Sequence, residues 1–364
     1  MRRTAGVRCS AALCASCGSW VSDCRSVASS AHFRERGLTL VELLVAMLIG
    51  LFLIVGMGSI FLMNQQTYRT SSALANVEDG SRIAFELMAR DIRSAGSTGC
   101  DSTSGRVANV LNDQSIDWWA NWNNALRGYG GSQADPAVAT GSGVGQRVAN
   151  TDSIEIVGAG NSLASIAKHD PNAASMQLNA VTPALYPGAI IVICSPDHAA
   201  ITQVSSYNSS NVTLVHNTGN TFSPGNCSKG LGYPTDCTTT NGNSYAFTPN
   251  SSISMLSATD WYIGNNPVGG RSLYRIALAQ ITSGGTGMAA QAQEIVRNVT
   301  DMQITYLQRP NTSFIDASAV TDWGPVIAAH VQLQVESGPN TSTNGNQPII
   351  RTFEATTTVR NRTN

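Results

Sequence analysis

Arg34-Glu35-Arg36-Gly37-Leu38-Thr39-Leu40-Val41-Glu42-Leu43-Leu44 decides the architecture of this 364-residue chain. A basic, polar stretch stops at one glycine. Behind it an apolar run of 26 residues extends from Leu38 to Met63, with Glu42 as its single acid. At about 1.5 Å per residue a helix of this length spans roughly 39 Å, enough to cross a hydrocarbon core of about 30 Å with some tilt. Arg34 and Arg36 precede the run, while Asn64-Gln65-Gln66-Thr67 follow it without charge. The positive-inside bias therefore puts the N-terminus in the cytoplasm and everything after Met63 outside.

Glu42 is the odd residue. A carboxylate within a spanning helix costs on the order of 2–3 kcal/mol, less near an end, and needs a partner or a position at headgroup level. Its neighbours give a further reading. The stretch Gly37-Leu38-Thr39-Leu40-Val41-Glu42, a glycine directly before an apolar helix with glutamate five residues on, resembles the type IV prepilin signal. The resemblance implies that prepilin peptidase cuts after Gly37, removing residues 1–37 as a leader. Leu38, where the family most often has Phe, would be the mature and methylated N-terminus. Glu42 would pair with the N-terminal ammonium of a neighbouring subunit during assembly, and an opposite charge is what a carboxylate in low dielectric requires.

The first 37 residues hold six arginines against Asp23 and Glu35, four cysteines (Cys9, Cys14, Cys17, Cys24) and no apolar stretch of secretory-signal length. Cys14-Ala15-Ser16-Cys17 invites a metal reading, but the spacing on to Cys24 fits no common zinc pattern. An unusually long leader, or a start further in at Val27, accounts for the segment better. Either way these cysteines leave the mature protein.

From Leu38 onward, 16 Lys and Arg stand against 21 Asp and Glu, and Lys168 and Lys229 are the only lysines. No basic patch is present to bind nucleic acid through its phosphates. Sparse charge and abundant Ser, Thr, Asn and Gly suit an exported, β-rich domain with many loops. The four remaining cysteines suggest two disulfides in an oxidising compartment. Cys227 and Cys237 enclose a short Gly/Pro-rich loop and are paired here with each other, leaving Cys100 with Cys194, although sequence alone allows three connectivities.

The helical pattern does not stop at Met63. It continues through Tyr68, Leu74, Val77, Ile83, Ala84, Leu87, Met88 and Ile92, with charges on the other face, and ends at Ala95-Gly96-Ser97, where Gly96 is a natural C-cap. The expected division is 38–63 as the membrane half of one long helix, 64–95 as its amphipathic periplasmic half, and 96–364 as the globular domain. Beyond Cys100 come strand signals at Ser153–Val157, Ala189–Cys194 after a Tyr186-Pro187-Gly188 turn, Ala200–Val204 and Val212–Val215. A loop-like stretch fills 217–250. A hairpin over Trp261–Leu278 and long strands at Val326–Glu336 and Ile350–Val359 complete the pattern. With no helical crossovers, an antiparallel sheet is expected, and the fold class is α+β. Trp118, Trp119 and Trp122 read as a loop folded over the core, with a ligand platform as the alternative.

No enzyme signature emerges. His169, Asp170, Asp197, His198, His216 and His330 are scattered, without metal-ligand or hydrolase spacing. Gly158-Ala159-Gly160 follows a strand, but Leu163 stands where a dinucleotide fingerprint needs its third glycine, so it reads as a turn. Gly141–Gly145 lacks the lysine of a phosphate loop and reads as a flexible loop. Asp113, Asp117 and Asp152 show no regular calcium spacing. No cofactor, metal or catalytic residue is expected.

The C-terminal part sharpens the resemblance. Glu294–Tyr306 looks like the PilW segment in which a short helix leads into a strand, Trp323–Val331 resembles the strand that follows, and Phe353–Arg362 resembles that family's ending. The chain is thereby similar to minor type IV pilins of the PilW kind. This implies a type IV pilin-like fold and an inner-membrane protein crossing once, with its C-terminal domain periplasmic or in the pilus fibre or tip. The implied role is joining a tip complex that primes pilus growth, with twitching motility and adhesion downstream. The implied partners are prepilin peptidase, other minor pilins, the major pilin and a pilus-tip adhesin. A minor pseudopilin of type II secretion and a membrane-anchored periplasmic binding module remain alternatives.

Overall fold

The computed structural model describes residues 38–100, 106–114, 116–281, 287–338 and 347–362. The leader cysteines and Gly37 lie outside them. One helix, α1 (Leu40–Ser94), begins in a first unit that ends at Phe61 and continues into a second that starts at Leu62. In the first unit its apolar side chains are exposed along the whole length, as expected of a helix whose partner is lipid or another apolar surface.

In the second unit, α1 buries Ala73, Val77, Ser81, Ala84, Met88 and Ile92. These recur every three or four positions and form one stripe. Leu87 packs at its margin. Tyr68 and Ile83, expected on the same stripe, are 75% and 51% exposed. At about 100° per residue both lie well round the helix from Ala84 and Met88. They line a groove of about 680 Å³ between the helix and Ile295, Val296 and Val335.

Fifteen strands follow in the described residues: β1 (Val107–Asn109), β2 (Leu126–Tyr129), β3 (Ser153–Asp170), β4 (Ser175–Leu178), β5 (Ile190–Ser195), β6 (His198–Gln203), β7 (Ser206–Asn208), β8 (Thr213–Val215), β9 (Ser252–Asn265), β10 (Arg271–Gln280), β11 (Met288–Arg297), β12 (Val299–Gln308), β13 (Phe314–Asp316), β14 (Val326–Glu336) and β15 (Ile350–Thr358). Long antiparallel β3 and β9 are the spine of the larger sheet. β2 and β4 flank the two halves of β3, and β10 and β5 flank the two halves of β9. The smaller sheet runs β13-β12-β14-β15. Pairing is antiparallel as expected, except that β1 joins β6 parallel. The α+β expectation holds.

The main core lies between the α1 stripe and both sheets. Met88 and Ile92 join Ile154, Ile156, Trp261 and Ile263 from the large sheet and Met302, Ile304, Leu333 and Val335 from the small one. Each such side chain contributes about 1.5–3 kcal/mol by leaving water. The helix end is stitched to β3. Gly96 takes a positive φ of 69° and donates its N–H to Val157 O at 2.8 Å, and Ala159 N–H reaches Ser97 O at 2.6 Å. The tryptophan loop folds over the core as expected, with Trp119 buried and Trp118 and Trp122 packed beside it.

Two local expectations are corrected. Gly158-Ala159-Gly160 is part of β3 and not a turn. Gly158 is needed because the Ser94 carbonyl oxygen would stand 2.4 Å from a Cβ there, so this glycine marks the close approach of helix end to strand, whereas a Cβ at Gly160 would meet Met255 O of β9 at 3.2 Å. Glu294–Tyr306 contains no helix; it is the end of β11 and most of β12, joined at Asn298, whose φ of 62° turns the chain.

Candidate processing and assembly site

At the start of α1, Thr39 and Glu42 satisfy each other. Thr39 N–H and Oγ1–H both donate to Glu42 Oε2 at 3.1 Å, and Glu42 N–H donates to Thr39 Oγ1 at 3.2 Å. This is a reciprocal capping box, which fills two of the amide donors that a helix start leaves open. Negative charge in the first turn also opposes the positive end of the helix dipole. Glu42 therefore has partners in its own chain. The Thr-x-x-Glu spacing is the sequence signal for this, although a carboxylate in an apolar run directs attention to an outside partner. Gly37 lies outside the described residues, and Leu38 is exposed.

In the second unit, Asp91 anchors α1 to the sheet. Its Oδ2 accepts from Trp261 Nε1 at 3.0 Å and from Arg275 Nε at 2.9 Å. Disulfide Cys100–Cys194 ties the segment after the helix to β5, and Cys227–Cys237 closes the short Gly/Pro-rich loop, whose Leu231 is buried. Both pairings are as expected, and Cys194 is accordingly no nucleophile.

The residues considered for chemistry do not converge. His169 Nδ1 accepts the Phe247 N–H at 3.0 Å, so its proton sits on Nε2, which lies 3.1 Å from His216 Nε2. A proton between these nitrogens occupies the position where a metal would need both lone pairs. Burial lowers His169 to about 4 and His216 to about 3, with the proximity of His169 adding to the latter. His198 is buried and hydrogen-bonded to Leu231 O, while His330 pairs with Thr356 across β14 and β15. Asp113 lies close enough to Asp117 to raise its pKa after burial does so, while the Asp152 carboxylate is occupied by Ile304 N–H at 2.7 Å. Among the described residues, no group of three His, Cys, Asp or Glu is placed to hold a metal ion. Gly141–Gly145 is a loop, as expected, held by Gln146.

One cluster has no counterpart in the sequence reading. Arg127, Glu155 and Asp260 lie in register across β2, β3 and β9. The loop from Gly130 to Val148 bears Asp135 and the fully buried Arg147. Arg147 spends its guanidinium on the carbonyls of Tyr129, Gly130, Gln133 and Thr151. Asp260 is 0% exposed, and neither of its carboxylate oxygens has a hydrogen-bond partner among the described residues. Burial, and then Asp135 and Glu155, push Asp260 well above the usual carboxylate range; burial and then Asp135 push Glu155 up to about 8.

The pH consequence has a definite sign. An acid whose folded pKa is raised holds its proton in the folded state while the unfolded chain has lost it, so stability falls as pH rises above about 4, a fall that for Glu155 continues to about 8. The lowered histidines act oppositely: their contribution is complete above about 6.5 and is lost as pH falls towards 3–4. Asp260→Asn, uncharged at every pH, is expected to melt higher than wild type at pH 8. The gain should be at least about 2 °C, roughly what 1 kcal/mol gives in a domain of this size, shrinking towards pH 4. Calorimetry showing the same difference at both pH values would contradict this.

Comparisons with known proteins divide between the two ends of the chain. Residues 260–363 match the family model described as Type IV Pilus-assembly protein W, from within β9 through the small sheet to the end. Residues 32–58 match the prokaryotic N-terminal methylation motif, spanning Gly37, Leu38, the capping box and the start of the exposed apolar helix. Among curated proteins and solved structures nothing matches the chain.

Proposed function

We propose that this PilW-type, prepilin-like minor pilin of the type IV pilus system joins a complex at the pilus tip that primes fibre growth. Pilins of this type are structural proteins and not enzymes, and the motif implies dealings with prepilin peptidase and other pilins. The methylation motif with one apolar N-terminal helix is that of an inner-membrane-anchored pilin whose C-terminal domain enters the pilus. The single observation that carries the proposal is the coupling of that motif to a PilW-type C-terminal region in one chain.

In this reading the peptidase removes residues 1–37, residues 38–63 wait in the membrane, 64–95 form the periplasmic half of the helix, and 96–364 form the globular domain. Before assembly Glu42 is satisfied by Thr39. During assembly it exchanges that partner for the ammonium at Leu38 of a neighbouring subunit. The capping box lowers the cost of waiting, and the ion pair favours leaving. Contacts with the major pilin, other minor pilins and a tip adhesin then decide twitching and adhesion.

Gly37→Val tests the processing step. A branched residue before the cut is expected to leave the precursor whole, as a single larger band on an immunoblot of membranes. A mature-sized band in that variant would reject the cleavage site.

A further inference from the structure

Between the tryptophan loop and the buried carboxylate row lies a cavity of about 110 Å³, lined by residues that include Asp117, Trp118, Arg127, Tyr129 and Glu155. Glu155 is 3% exposed. Its Oε2 accepts the Tyr129 hydroxyl at 2.8 Å, and its Oε1 has no hydrogen-bond partner among the described residues. The charges around it come from every covering element: Arg127 on β2, Asp260 on β9, Asp135 and Arg147 on the loop after β2, and Asp117 beside Trp118. The acids outnumber the arginines. Arg147 is committed to backbone carbonyls, and the Arg127 guanidinium sits over the Tyr129 ring at 5.1 Å without bonding Glu155. A buried carboxylate oxygen beside aromatic walls and a second acid is a receptor for a cation with an apolar stem. The cavity has room for only a few heavy atoms.

We propose that this cavity binds a primary ammonium group, with Glu155 Oε1 and the Asp117 carboxylate taking the charge and Trp118 the alkyl stem. The ligand is a small free amine or the lysine side chain of a partner protein. Arg127 is the internal competitor, since it is the cation nearest the same carboxylate in the sheet.

The test is calorimetric titration of the detergent-solubilised full chain with n-propylamine, using n-propanol as control. It is run at pH 7 in two buffers of different ionisation enthalpy. Saturable heat with the amine alone is expected, together with proton release, because Glu155, pushed up to about 8, gives up its proton when the ammonium arrives. Glu155→Gln should weaken binding roughly tenfold or more and abolish the proton release. Arg127→Ala should tighten it several-fold. Trp118→Ala should weaken binding while keeping the proton release. Each variant is first shown to melt cooperatively. Equal heats from propanol, or unchanged binding in Glu155→Gln, or no proton release in wild type, would overturn the proposal. Nα-acetyl-lysine methylamide and a lysine-bearing peptide then separate the sources. Equal affinity with propylamine assigns the site to a free amine; tighter binding of the peptide assigns it to a partner's lysine.

Discussion

Glu42→Val is expected to leave cleavage after Gly37 largely intact while nearly abolishing incorporation into pili. The capping box makes the experiment sharper than a single substitution. Valine removes both the hydrogen bonds to Thr39 and the charge. Glutamine retains the box, since its side-chain oxygen still accepts from the helix start, but has no charge for a neighbour's ammonium. If the ion pair drives assembly, Glu42→Gln fails almost as badly as Glu42→Val. Leaving a buried ammonium without its partner costs about 3–5 kcal/mol, which is more than a hundredfold in the assembly equilibrium. If the capping box alone matters, glutamine assembles normally. The readout is the ratio of this protein in sheared pili to that in membranes, measured for wild type and both variants.

Cys100→Ser with Cys194→Ser is expected to be highly damaging to the folded domain, because it opens the longer crosslink and places a hydroxyl at Cys194, which is 1% exposed in the core. The crosslink spans 94 residues of sequence, against 10 for Cys227–Cys237. On the chain-entropy account these are worth about 4.7 and about 2.7 kcal/mol. A domain's whole stability is typically about 5–15 kcal/mol. The first loss should lower the melting temperature by roughly 10 °C and the second by clearly less. Position adds to the first effect. Cys100 follows directly on the segment that stitches the helix end to β3 through Gly96, Ser97 and Ala159, so the chain there is held at both ends. Equal or inverted losses on thermal melting would contradict the ranking.

Much of this architecture is legible in local sequence. The apolar run with its basic flank gives the exposed half of α1. Tyr186-Pro187-Gly188 before an apolar run gives β5, and the alternation from Val326 to Glu336 gives β14. The failures have physical causes. Val296, Val299 and Met302 are all buried and three apart, which imitates a helical face. In the fold that spacing arises because Asn298 takes a left-handed backbone and the pairing of β12 with β14 shifts between Val299 and Asp301. Gly158 imitates a turn residue because the helix end at Ser94 presses on the strand there, a contact set by a residue far earlier in the chain, while Gly160 lies against the β9 backbone at Met255. Ser153-Ile154-Glu155-Ile156-Val157 alternates like a strand with one wet face, yet Glu155 is buried. The loop that covers it, fixed by Arg147, is not encoded near it. For the proposed site, the motif points to Gly37, Leu38 and Glu42, and the hydrogen bonds between Thr39 and Glu42 follow from Thr-x-x-Glu spacing. The acidic row needed β2, β3 and β9 in register before it existed at all.

The central claim is that this chain promotes pilus assembly from the tip. Its most direct test is surface pilin in a strain lacking the chain, recovered by shearing and compared with total cellular pilin. A large fall in surface pilin at normal total pilin is the result this account predicts. Unchanged surface pilin would contradict it and shift the role to a secretion pseudopilin or an accessory binding module.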